Sequence, residues 1–218
     1  ASSGADKVAP LFYVAARGHH GDVGGITPGS MPPNSTSILE EGVLLDNIKI
    51  VEHGVFLEPL VRSLFAAGPY PSRNIDQNIA DLIAQLGACE TGANELLKAV
   101  ACYGEDVVLA YMQHVQDNAE EAVRGAISSL RDAEFCYEMD DGAVLKVRLT
   151  IDHAQRSATV DFTGTSAQRQ TNFNAPLSVC KAAVLYVFRT LLDSDIPMNE
   201  GVLKPLKLII PEGSMLNP

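Results

Sequence analysis

The sequence is poor in the residue types that mark several classes of protein. Its 218 residues contain no tryptophan, and aromatic residues make up only 6%. No apolar run approaches the roughly 18 to 20 residues of a membrane-spanning helix, so we expect no membrane span. Acidic residues outnumber basic ones by 27 to 16, for a formal net charge of −11. This balance argues against binding to nucleic acid or to an anionic membrane surface, because both require basic surface.

Cysteine is also scarce. No two cysteines form a C-x-x-C pair, and all four lie in apolar or mixed segments: Cys89, Cys102, Cys136 and Cys180. We expect reduced, partly buried thiols in a cytoplasmic protein. The stretch Ala1–Val8 lacks the charged region followed by an apolar region that a signal peptide shows. Because the sequence starts without Met and stops on a turn signal, we expect it to be part of a larger protein or assembly.

The distribution of apolar residues predicts an α+β fold, in which a helical segment is flanked by mixed or antiparallel β-structure. Residues 1–57 contain a short apolar run at Leu11–Ala16, a loop rich in glycine, proline and serine, and a second predicted strand over Val43–Val51. Residues 58–132 show the spacing of amphipathic helices. Residues 133–218 predict a β-meander, a helix and a final strand. We expect the three segments to form one incomplete domain.

The densest group of chemistry-bearing residues follows the first predicted strand, in the stretch Gly18–Gly25. Imidazole and carboxylate together suit a divalent metal of the Zn or Mn class, and glycine lets backbone approach a ligand closely. Adjacent residues point apart on extended backbone. We therefore expect one of His19 and His20 to join Asp22 on an ion and the other to act as a base or a substrate contact. The alternative is that the histidines only hydrogen-bond the loop.

Three side chains rarely complete a metal site, since Zn and Mn take four to six ligands. Further ligands within reach of the same loop are carboxylates: Glu40, Glu41 and Asp46. Others would come from sequence outside this chain.

A second polar group, Pro71–Asn78 with Asp81 one turn further, lies at the predicted start of a long helix. Exposed amides and the helix dipole at such a position suit an anionic ligand. The residues alone favour a capped, solvated helix start in which Arg73 pairs with Asp76 or Asp81. Two later polar stretches have a structural role as their default interpretation: Asp161–Ser166 and Asn172–Pro176. The sequence has no Walker A, G-x-G-x-x-G or G-x-S-x-G motif, so any ATP would bind elsewhere.

Taken in order, these motifs resemble the hydantoinase B/5-oxoprolinase family. The most specific block is Arg17–Thr36, followed by Glu40-Glu41-Gly42. The resemblance covers nearly the whole chain and continues in four further blocks: Ser72–Asp81, Asp161–Ser166, Asn172–Pro176 and Pro211–Pro218. The first block is most similar to the ATP-dependent 5-oxoprolinase branch.

The resemblance implies part of a hydantoinase B-type domain that hosts the hydrolysis of a cyclic amide, 5-oxoproline, to glutamate in the cytoplasm. It also implies that ATP binds a hydantoinase A-like domain or subunit rather than this chain, within a homo- or hetero-oligomer. The alternatives are an acetone or acetophenone carboxylase-like subunit, an N-methylhydantoinase-like subunit, or a non-catalytic scaffold that completes a partner's site.

Carried onto this sequence, the resemblance makes His19 and Asp22 metal ligands and His20 a catalytic base or substrate contact. Arg73 would act in catalysis as a donor to the developing oxyanion, or would hold the substrate carboxylate. The other expected substrate contacts are polar residues: Ser30, Asn74 and Asp76. Family members carry further acidic and histidine residues upstream of this block, so the remaining metal ligands are expected outside this chain.

Overall fold

In a computed structural model, which describes residues 10–193 and 195–218, the chain divides into two compact units, Ala1–Gly104 and Glu105–Pro218. Each unit combines helices with β-structure, which confirms the α+β class. The division of one incomplete domain at residues 57 and 132 stays a prediction, and the stretch Ala1–Val8 lies outside the described residues. Among the described residues, no helix is both long and apolar enough to cross a bilayer.

The first unit is built on two helices and a small hairpin: β1 (Val51–Glu52), β2 (Val55–Phe56), α1 (Glu58–Phe65) and α2 (Ile75–Tyr103). The side chain of Asn74 accepts the backbone N–H of Gln77 and so caps α2. The helix ends where Gly104 takes a φ of 87°, a conformation that glycine adopts without strain. Val61, Phe65 and Ile79 are buried between the two helices and form the core of this unit.

Two strands predicted in this unit are absent, and both predictions were wrong. Leu11–Ala16 pairs with no strand in the described part of the chain, and Tyr13 is 89% exposed. The segment instead runs beside α2, where Val14 lies against Gly92 so closely that a Cβ on the glycine would be 2.9 Å from it. Val43–Val51 is irregular until β1 begins at its last residue. The apolar pattern indicated that these segments are packed, but it does not show whether another strand lies beside them.

The second unit pairs a four-stranded sheet with two helices: α3 (Glu105–Ile127), β3 (Ala133–Glu138), β4 (Val144–Asp152), β5 (Ser157–Asp161), α4 (Leu177–Thr190) and β6 (Leu206–Ile209). The strand order is β3-β4-β5-β6. The predicted antiparallel meander is confirmed over β3 to β5. The final strand β6 is also confirmed, and it pairs in parallel with β5, because the crossover through α4 returns the chain in the same direction.

The core of the second unit is apolar and spans helix and sheet. Val123 and Ile127 of α3, Val160 of β5 and Phe188 of α4 are each at most 5% exposed and belong to one cluster. Gly201 marks a close approach to α3, since a Cβ there would lie 2.0 Å from the carbonyl oxygen of Gln116. Apolar burial therefore joins the helices to the sheet, and polar contacts such as the ion pair between Arg156 and Glu121 of α3 add to it.

Candidate functional site

The glycine pair of the histidine-containing loop lies directly on neighbouring backbone. Gly24 and Gly25 have φ values of 97° and 88°, in the left-handed region that favours glycine. A Cβ on Gly24 would lie 2.2 Å from the carbonyl oxygen of Tyr70. The amide of Gly25 donates to that oxygen over 3.0 Å, and the amide of Ile26 donates to Glu40 O over 2.8 Å. Packing against neighbouring backbone therefore requires glycine at both positions.

Asp22 is the acceptor around which the loop closes. Its carboxylate accepts the amides of Gly24 and Gly29 over 2.7 and 2.9 Å. Arg73 Nη1 lies 2.9 Å from the second carboxylate oxygen and 3.2 Å from the first. Burial opposes ionisation, but the amides of Gly29 and Gly24 and the Arg73 guanidinium together hold the pKa of Asp22 below its ordinary value. Asp22 is therefore ionised and multiply bonded.

Arg73 joins this loop to the start of α2. Besides Asp22, it donates to the carbonyl oxygen of Gly24 over 3.0 Å and to that of Gly25. We call this group, formed by Arg73, Asp22, Gly24 and Gly25, the Arg73 clamp. Buried Asn78 of α2 adds a bond of 2.8 Å from its amide nitrogen to the carbonyl oxygen of Asp22. In the clamp, Arg73 donates hydrogen bonds to the carbonyl oxygens of Gly24 and Gly25, which would otherwise depend on solvent for a partner.

His20 is paired with a carboxylate of α2. Its Nδ1 lies 3.0 Å from Oδ2 of Asp81, and the other Asp81 oxygen accepts the side-chain amide of Gln77 over 2.7 Å. The imidazole packs edge-on against Phe65, with a centroid distance of 6.2 Å, and its side chain is 19% exposed. A histidine held at Nδ1 by a carboxylate offers Nε2 to a substrate or an ion.

The prediction that Arg73 pairs with Asp76 or Asp81 was wrong, because the carboxylate partner of Arg73 is Asp22. Asp81 pairs with His20 instead, a role that was not predicted although a signal was present. Gln77 and Asp81 are four residues apart on α2 and so share one face. What the sequence could not show is that His20, 61 positions earlier, lies against that face. His19, by contrast, is exposed and makes no hydrogen bond or ion pair within the described residues.

The remaining predicted substrate contacts all have structural partners. Ser30 accepts the amide of Val23 and donates to the carbonyl of Gly24, both over 2.7 Å. Asn74 caps α2, and Asp76 pairs with Arg62 over 2.7 Å. Their roles in substrate binding stay a prediction. In the second unit, Asn174 bonds the backbone of Arg169 at both its amide and its carbonyl, in keeping with the structural interpretation of that stretch.

The residues that the structure describes do not form a metal site by themselves. Within the described part of the chain, no three His, Cys, Asp or Glu side chains are placed to share an ion. The carboxylate of Asp22 has about four acceptor directions, and they already meet two amides and Arg73. Nearby carboxylates are also bonded, Glu40 to Thr36 and Glu41 to Ser35. Metal binding by His19 and Asp22 stays a prediction that needs donors from outside this chain.

Comparison with known proteins explains the combination of motifs. The sequence model of the family described as hydantoinase B/oxoprolinase matches residues 3–218. The chain belongs to this family. A 5-oxoprolinase of Dictyostelium discoideum is 44% identical to it over 217 residues, which cover 95% of this chain but 17% of the relative. The predicted resemblance is confirmed, and the chain spans about a sixth of that relative's length.

Two solved structures share the fold. An ATP-dependent caprolactamase from Pseudomonas jessenii superposes with a TM-score of 0.71 over 90% of this chain and 34% of its own, at 22% identity. A nucleotide-free acetone carboxylase superposes with a TM-score of 0.77 over 92% of this chain and 28% of its own, at 16% identity. At these identities the likeness concerns the fold and leaves the reaction open.

Proposed function

We propose that this chain is the part of an ATP-dependent cyclic-amide hydrolase that hosts the hydrolysis of 5-oxo-L-proline to L-glutamate. The observation that carries the proposal is the 44% identity with a 5-oxoprolinase over 95% of the chain. The pairing of His20 with Asp81 beside the Arg73 clamp supports it, because it supplies a base and donors on one rigid support. The complete enzyme would be cytoplasmic, and a hydantoinase A-like domain or subunit would bind ATP.

The reaction requires activation because amide resonance makes a lactam carbonyl a poor electrophile. On the ATP-binding part, the γ-phosphoryl group is transferred to the lactam oxygen, which leaves ADP. Water then adds to the activated carbon, the ring C–N bond breaks, and the nitrogen takes a proton to become the amine of glutamate. A second water completes the release of phosphate. The balance is 5-oxoproline, ATP and two waters to glutamate, ADP and phosphate.

His20 is the proposed base for the attacking water. With Nδ1 held by Asp81, Nε2 is the nitrogen that can accept a proton, a contribution typically worth about 10²- to 10⁴-fold in rate. His20 stands on a segment fixed to α2 and to the buried ring of Phe65. That support keeps the ring in a single orientation.

Arg73 is the proposed anchor for the substrate carboxylate or the developing oxyanion. Its bonds to Asp22, Gly24 and Gly25 use three of the five N–H groups of a guanidinium, so two remain. Because the clamp already fixes the planar group, little side-chain freedom is lost when an anion binds. We propose Ser30, Asn74 and Asp76 as neighbours of the substrate that shape the pocket rather than as its principal ligands.

No step of this proposal passes through a metal. For His19 and Asp22 to share a Zn or Mn ion, the Asp22 carboxylate would have to give up a hydrogen bond to Arg73, because its acceptor directions are already used. The metal stays a prediction for the complete protein, to be tested by metal analysis of the purified assembly.

The test is product analysis with the complete assembly, supplied with ATP and 5-oxoproline or with ATP, bicarbonate and a ketone such as acetone. We expect glutamate and ADP in equal amounts from the first mixture and no carboxylated product from the second. Ketone carboxylation without glutamate formation would contradict the proposal in favour of the carboxylase alternative. Unchanged turnover in His19→Ala, His20→Gln and Asp22→Ala variants would favour a non-catalytic scaffold.

A further inference from the structure

We propose that Asp81 is a positioning residue that selects the tautomer and the orientation of His20. The effect of this arrangement on turnover rests on the function proposed above. The arrangement itself rests only on the geometry of the first unit.

The tautomer follows from the acceptor character of Asp81. An ionised carboxylate accepts hydrogen bonds and donates none. The separation of 3.0 Å between Oδ2 and the imidazole therefore assigns the hydrogen to Nδ1 of His20. Nε2 then carries the lone pair.

The ring orientation is fixed from a second side. Phe65 is 2% exposed and meets the imidazole edge-on at 6.2 Å, with an interplanar angle of 63°. His20 thus lies between a buried ring of α1 and a carboxylate of α2. Rotation about its side-chain bonds would lose both contacts, so Asp81 and Phe65 hold one rotamer.

Gln77 holds the same carboxylate at its other oxygen. Its side-chain amide nitrogen donates to Oδ1 of Asp81 over 2.7 Å, which leaves Oδ2 for His20. A leucine at residue 81 would keep a side chain of similar size and remove the acceptor from Nδ1. The hydrogen would then no longer be held on Nδ1, and the lone pair would no longer be confined to Nε2.

The experiment compares the wild type with Asp81→Leu, which removes the acceptor, and with the control Glu90→Gln, an exposed carboxylate of the same helix. The tautomer is read from ¹⁵N shifts of the imidazole nitrogens in histidine-labelled protein at a pH where the ring is neutral. Five histidines make the spectrum simple, and His20→Gln identifies the signal. Turnover is measured as kcat and KM in the complete assembly.

We expect the wild type to carry the hydrogen on Nδ1 and Asp81→Leu to carry it mainly on Nε2, because Nδ1 has lost its acceptor. Asp81→Leu should lower kcat by about 10²- to 10⁴-fold with little change in KM. Glu90→Gln should resemble the wild type in both measurements.

A wild-type His20 with its hydrogen on Nε2 would overturn the inference whatever the substrate is. Equal tautomers and equal kcat in the wild type and Asp81→Leu would also overturn it. If the tautomers change as expected but 5-oxoproline yields no glutamate, the positioning role stands and the proposed function fails.

Discussion

Different interactions stabilise the interiors of the two units. In the second unit, a cluster that includes Val123, Val160 and Phe188 is almost fully buried, and the apolar pattern of the sequence follows it. In the first unit, the loop that carries His20 is held by hydrogen bonds to Arg73, just before α2, and to Asp81 of α2, which are 51 and 61 positions away in sequence from their partners. The comparison shows that the framework is specified by local periodicity and the candidate site by long-range polar pairs.

This difference has a functional meaning. Polar contacts have directional geometry, so they fix a side chain more narrowly than apolar burial does. A loop held by Arg73, Asp22 and paired backbone carbonyls can present His20 in one pose without a large core beneath it. The two kinds of support should respond differently to substitution.

The largest loss of stability is expected from truncation in the apolar unit. Phe188→Ala should lower the free energy of unfolding by about 3–5 kcal/mol, because it removes a ring that is 5% exposed and leaves a cavity. Tyr186→Ala on the same helix, where the side chain is 65% exposed, should cost less than about 0.5 kcal/mol. Denaturant titration of both variants measures the difference, and equal losses would show that α4 is not seated as described.

The next largest effect is expected from a methyl group on the loop. Gly24→Ala should cost at least about 2 kcal/mol, because the residue has positive φ and its Cβ would meet the Tyr70 carbonyl at 2.2 Å. Gly21→Ala is the matched control, since a Cβ there meets nothing within 4 Å. Amide exchange at Gly25, which donates to Tyr70, should quicken in the first variant alone. Protected exchange in Gly24→Ala would mean that the loop does not approach α1 and α2 in this way.

A smaller and local effect is expected from Arg73→Lys. A lysine ammonium cannot reach Asp22 and two carbonyls with one planar fork. Arg73 is 39% exposed, so solvent screening limits the loss to about 1 kcal/mol. Exchange of the Gly24 and Gly29 amides should become roughly several-fold faster while unfolding of the second unit is unchanged. If exchange of both amides stayed at the wild-type rate, Asp22 would be holding them without help from Arg73.

The smallest effect expected is a pH dependence confined to the first unit. The folded-state pKa of Asp22 lies below its ordinary value of about 3.9. The ionised carboxylate therefore stabilises the loop above that pH, and the contribution is lost as the pH falls through the lower folded-state pKa. Protection of the Gly24 and Gly29 amides should persist at pH 5 and fall below about pH 4, and Asp22→Asn should abolish this dependence. Loss of protection that begins near neutral pH would point to a different group.

Much of the framework could be predicted from the sequence. The helices and the antiparallel meander follow from apolar periods that act over a few positions. The strand predicted at Leu11–Ala16 failed because an apolar run shows that a segment is packed and not whether a strand lies beside it. The parallel pairing of β6 with β5 depends on the path of the whole crossover.

The sequence indicated which residues form the candidate site, but not which hydrogen bonds they make. His20, Asp22 and Arg73 stood out because their chemistry was dense, and the structure places all three around one loop. That Asp22 bonds Arg73 and that His20 bonds Asp81 depends on how the segment before the loop lies along α2. No local spacing encodes that placement.

The most direct test of the account is glutamate formation from 5-oxoproline and ATP by the complete assembly carrying His20→Gln. The side chain is paired only through Nδ1, so its removal should leave the fold intact while deleting the base. We predict that kcat falls by at least about 100-fold with KM nearly unchanged. Wild-type kcat in a correctly folded His20→Gln enzyme would contradict the assignment of this loop as the site of hydrolysis.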